Sequence, residues 1–153
     1  MKKIVFAAVL IVLSVSLWGQ SNELLDQFLE KDAADVATSL LLIAQASGNL
    51  PLDTVPEDGY AWALEQKFAK HVRKVSPDDP ISLGLFYLAL FKSFEIKGGG
   101  MFNVAGTPRY AALEAGFKGY VEPSSLYTTR SMPPYEVLTG ITFVTESPQG
   151  GVM

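Results

Sequence analysis

The chain has 153 residues, with sixteen acidic and twelve basic side chains, a net charge of −4, 48% apolar residues and no cysteine. The acidic balance argues against a nucleic-acid partner, which needs clustered Lys and Arg against phosphate. The missing cysteines exclude disulfides, Cys-ligated zinc and a lipoprotein-type acylated cysteine, while nine Phe, six Tyr and two Trp supply material for a buried core and argue against disorder.

Met1-Lys2-Lys3 is a short positive segment, residues 4–13 (IVFAAVLIVL) are uninterruptedly apolar, and residues 14–20 turn small and polar. This three-part pattern is that of a secretory signal peptide. It predicts a leader over 1–19, a domain over 20–145 and a flexible tail over 146–153. The apolar run is shorter than the roughly 20 residues of a spanning helix, so contact with a membrane is expected only through the leader before cleavage. The cleavage site reads two ways: Ser14-x-Ser16 is a small-x-small match, and a cut after Gly19 places Leu17 at the third position before it. The Lys-rich start and short apolar run suit a bacterial secretory route. About 134 residues would remain, the size of one domain with one core.

In the mature part, Ser21-Asn22 offers caps for a short helix with Leu24, Leu25, Phe28 and Leu29 on one stripe. Asp32 is expected to cap a helix over 33–46 that Gly48-Asn49 stops. Thr54-Val55-Pro56-Glu57 has the form of a capping box and opens a predicted helix over 56–74, with Tyr60, Leu64, Phe68 and Val72 inward. Residues 76–80 (SPDDP) break and restart the chain. Residues 81–94 (ISLGLFYLALFKSF) are apolar nearly all round, which predicts the central, buried helix. Gly98-Gly99-Gly100 ends it, and 101–106 reads as a loop. Thr107-Pro108 is a cap followed by Pro in the first turn, opening a helix over 109–117. A longer loop runs over 120–130, and Ser131 is expected to cap a last helix over 133–143. Thr142 to Thr145 reads alternatively as a short strand. The fold expected is one small all-α domain of five or six helices.

Residues 39–66 and 110–143 share one plan: an apolar helix, a Gly-containing stop, a loop, a polar cap with Pro, and a second helix. That plan fits two helix–loop–helix repeats around the central helix, and it also fits chance recurrence in a small helical protein. The second stretch resembles the S-layer-homology module of bacterial envelope proteins. Residues 111–121 (AALEAGFKGYV) look like its first helix and Gly turn, and residues 131–138 (SMPPYEVL) stand where its second helix begins. The module's Thr-Arg-Ala-Glu signature is absent, since Thr129-Arg130 lies a few residues early and is not followed by Ala-Glu. The resemblance implies envelope or cell-wall association and carries over no glycan site.

Candidate chemistry is sparse. His71 is the only histidine, flanked by Lys70, Arg73 and Lys74, which repel a metal, so a solvated helix-end histidine is expected. Glu57-Asp58 and Asp78-Asp79 could act as paired acids or bind calcium, but at predicted helix starts they serve as N-terminal acids. Gly98-Gly99-Gly100 follows a helix and lacks the Lys-Ser or Lys-Thr of a phosphate loop. Ser124, Ser125 and Ser131 lack a base and a Gly-x-Ser-x-Gly elbow. No cofactor, metal site or catalytic residue is therefore expected, and the protein is not read as an enzyme. Two binding regions remain. Lys67, Lys70, Arg73 and Lys74 form a basic patch suited to an anionic partner, or to compensation of a helix dipole. Tyr120, Tyr127, Arg130 and Tyr135 gather on the long loop and the helix start after it, the residue types of binding hot spots. The expected function is that of an exported, non-catalytic protein of the envelope or periplasm, binding an envelope protein or a cell-wall polymer. The alternatives are a structural subunit of a secretion or motility machine, and a small apolar-ligand or lipid carrier using the Phe-rich helix 81–94.

Overall fold

The computed structural model describes residues 22–147; the predicted leader and the last six residues of the tail lie outside them. Eight helices follow in order: α1 (22–29), α2 (Val36–Ala46), α3 (Pro56–Ala63), α4 (Ala69–Val72), α5 (Leu83–Ser93), α6 (Gly100–Ala105), α7 (Pro108–Phe117) and α8 (Pro134–Glu146). One 3-10 turn, Pro123–Ser125, lies in the loop before α8. Among the described residues there is no strand, and no helix is long and apolar enough to cross a membrane. The all-α expectation holds, with two helices more than the six anticipated.

α5 is the axis. Every residue from Leu83 to Phe91 is buried, as its all-round apolar character requires. α2 packs on α3, on α5 and on α8, and α7 packs on α5 and α6. The two proposed repeats, α2–α3 and α7–α8, thus flank α5 but pack differently: α2 lies directly on α3, whereas α7 leans on α5. Phe28 of α1 closes the core, while Leu29 of the same predicted stripe is exposed.

Three extended connectors meet at the starts of α2, α5 and α8. Ala34 N–H donates to Met132 O, Met132 N–H to Ile81 O, and Ile81 N–H to Ala34 O. Leu83 and Gly84 N–H donate to Arg130 and Thr128 carbonyls, and Val36 N–H to Asp79 O. At α2 and α5 the first N–H groups, which have no intrahelical partner, are thus satisfied by a neighbouring connector.

Several local expectations are corrected. α2 is capped by Asp35, whose carboxylate accepts the Thr38 N–H at 2.9 Å, and not by Asp32. The capping box does not form: Val55 is the N-cap, and the Thr54 hydroxyl donates back to Pro51 O at 2.7 Å. The single helix over 56–74 is two helices with a corner at 64–68. The loop over 101–106 is α6. Ser131 pairs with Ser82 in an antiparallel bridge instead of capping α8, and α8 runs through Glu146, which removes the strand alternative at 142–145 and the tail's first residue. Gly48 beyond α2 and Thr107 before α7 act as expected: Gly48 is left-handed at φ 77°, and the Thr107 hydroxyl accepts the Tyr110 N–H.

Candidate functional site

The loop between α7 and α8 distributes its four predicted contact residues over two environments. Tyr120 turns inward. Its ring is parallel to Tyr87 within 3° at 6.3 Å and stacks on Phe143 at 5.9 Å, so it belongs to the edge of the core. Tyr127 and Tyr135 face solvent, 66% and 67% exposed. Arg130 joins loop to helix: its guanidinium donates to Glu136 Oε2 at 2.7 Å and Oε1 at 3.0 Å, and its Nε donates to Ser125 O at 3.0 Å. This two-pronged pair raises the Arg130 pKa above its ordinary value, chiefly through the hydrogen bonds to Glu136. The exposed tyrosines therefore flank a fixed Arg–Glu pair, and the guanidinium's forked face is already occupied.

The basic residues spread over α4, its end and the corner before it. Lys70 and Lys74 are exposed on and just after α4, Arg73 donates to Leu64 O at 3.4 Å across the corner, and Lys67 sits in the corner itself. His71 is half-buried with Nε2 shielded and unpartnered among the described residues. Burial, then Lys70 and Lys74, hold its pKa below the ordinary histidine value. Among the described residues no three His, Asp or Glu side chains converge where a metal could sit. Of the acidic pairs, Glu57 and Asp58 lie in the first turn of α3. Asp79 instead accepts the Ser76 N–H at 2.8 Å in the turn before α5.

The most exposed apolar surface is one that sequence periodicity missed. Met101 and Val104, three apart on α6, are 57% and 86% exposed, and Phe117 at the end of α7 is 86% exposed. Met101, Leu113 and Phe117 line a groove of about 300 Å³ between the two helices, with Phe102 and Tyr110 at its floor. Polar ties anchor the glycine segment at the start of α6. Gly99 N–H donates to Glu114 Oε2 at 2.9 Å, and Asn103 and Gly98 exchange two hydrogen bonds, at 2.7 and 3.2 Å. The triple glycine thus precedes a helix as well as following one, and its amides serve the chain's own Glu114 and Asn103. The signal available in sequence was Met101-Phe102-x-Val104, an apolar cluster at helical spacing directly after a helix-starting glycine.

Comparison with known proteins returns nothing similar: no family model, curated protein or solved structure matches the chain.

Proposed function

We propose that this is an exported, non-catalytic interaction protein that docks an envelope protein through the α6–α7 edge. The observation that carries the reading is the exposure of Met101 and Phe117 on the walls of an apolar groove, with Val104 exposed on the same short helix as Met101. Contiguous apolar surface of this kind is costly to leave in water and marks sites of association. The leader pattern over 1–19 supports export, and the likeness of 110–143 to an envelope module agrees with the compartment. The exposed pair Tyr127 and Tyr135 offers a second contact region, with Arg130 holding the loop that presents Tyr127. A second reading, a fixed subunit of a larger envelope assembly, is favoured by the same edge, because permanent interfaces are the more apolar ones.

The test is the double variant Val104→Asp/Phe117→Asp, made in the cells that produce the protein. Both side chains lie outside the core, so unfolding free energy should stay within about 0.5 kcal/mol of the parent. Partner affinity should fall by about tenfold or more, because each aspartate would place a charge in a desolvated apolar contact. Undiminished recovery of the partner with the double variant would remove the edge as the docking site.

A further inference from the structure

A cleft of about 560 Å³ opens at the C-terminal end of α5, between the α3–α4 corner and α6. That volume is typical of small-ligand sites. Three features of the cleft bear on what it could hold. Lys67, Lys92 and Lys97 line it together with a single carboxylate, Glu95, which leaves an excess of positive charge on an acidic protein. Among the described residues neither Lys67, Lys97 nor Glu95 forms an ion pair. Lys92 rests over the Phe102 ring at 4.9 Å, a contact that leaves its charge in place. The Ser93 hydroxyl, on the same wall, is shielded from solvent and has no hydrogen-bond partner among the described residues, an uncommon condition for a buried polar group.

The third feature is conformational. The chain leaves α2, α6 and α7 through glycines at positive φ: Gly48, Gly106 and Gly119. It leaves α5 through Glu95 at φ 53°, the only such non-glycine residue described. Left-handed backbone is sterically disfavoured for a residue with a Cβ and is the usual place for glycine beyond a helix. The turn itself is the cap of α5, closed by Ile96 N–H donating to Phe91 O at 2.8 Å; what departs from the other helix ends is that a carboxylate lining the cleft stands where glycine is the less strained residue.

We propose that this cleft binds a small phosphorylated sugar or polyol. Lys67 and Lys97 meet the phosphate at the mouth, and the charge excess matches a dianion. The Glu95 carboxylate accepts from ligand hydroxyls. The site is separate from the docking edge and does not depend on it.

Isothermal titration of the purified protein at low salt tests this, with glucose 6-phosphate, glycerol 3-phosphate, glucose and inorganic phosphate as separate titrants. The expected result is a Kd below about 1 mM for at least one phosphate ester, at least about tenfold tighter than for glucose or phosphate alone. Lys67→Gln/Lys97→Gln, at exposed positions, should weaken that ester by about tenfold or more, and Glu95→Gly should bring it toward the affinity of inorganic phosphate while keeping the helical signal. No binding of either ester, equal binding of inorganic phosphate, or an unchanged Kd in the lysine double variant would each overturn the proposal.

Discussion

Asp35 shows how one side chain can organise a junction. Its Oδ1 lies 2.6 Å from Lys31 Nζ and its Oδ2 accepts the Thr38 amide, so it both pairs a charge and caps α2. Burial by itself would raise its pKa, but the lysine and the amide outweigh that and hold the carboxyl below its ordinary value. Stability from this group is therefore complete above about pH 4 and is lost as pH falls through the depressed folded value. Asp35→Ala should cost about 1–2 kcal/mol at pH 7, with the gap from the parent narrowing below about pH 4 in urea unfolding curves. His71 has a depressed pKa for a different reason, burial beside Lys70 and Lys74. Protonation is disfavoured in the folded state, so stability should decline as pH drops below about 6.5, and His71→Gln should flatten that slope. Arg130→Ala should destabilise by about 1 kcal/mol through loss of the pair with Glu136. Arg130 was legible in the sequence as a residue of interest, but not its partner. A six-residue separation from loop into helix has no periodic signature, and neither does the distinction between inward Tyr120 and outward Tyr127.

Among the elements, those governed by local chemistry were readable. α5 follows from an unbroken apolar segment, α7 from Thr107-Pro108, and the end of α2 from Gly48. The corner between α3 and α4 was not. Apolar residues at steps of four rotate about 40° per step around a 3.6-residue helix, so a straight helix from Tyr60 to Val72 would carry its last members off the core face. The chain turns at 64–68 instead, which buries Phe68 and Val72. The Tyr60 hydroxyl holds the corner closed by donating to Val75 O at 2.8 Å. α6 was hidden behind three glycines that read as a linker. Packing between elements also rests on a residue that carries no pattern. A Cβ on Gly59 of α3 would lie 2.6 Å from Leu41 Cα on α2. Gly59→Ala should force the two helices apart and cost about 1–3 kcal/mol or more, read as a lower midpoint in thermal or urea unfolding. A helical glycine whose replacement by alanine were stabilising would contradict the close α2–α3 approach.

For the whole molecule, the core is a buried α5 enclosed by helices whose starts are tied together through shared connectors. That arrangement leaves two places where the surface departs from what folding requires. One is the apolar α6–α7 edge, and the other is the charged cleft at the end of α5. The all-α class was legible because it follows from composition and helix-length periodicity. The surface sites were not, because each is assembled from segments far apart in the chain: Met101 with Phe117, and Lys67 with Glu95 and Lys97. The α6–α7 edge is the one on which the proposed function rests. A photo-crosslinking residue placed singly at Val104, at Phe117 and, as a control, at the exposed polar position Asp53 would probe it in intact cells. One discrete protein adduct is expected from Val104 and Phe117 and none from Asp53. Adducts of equal yield from all three positions, or none from the α6–α7 pair, would contradict the proposed docking edge.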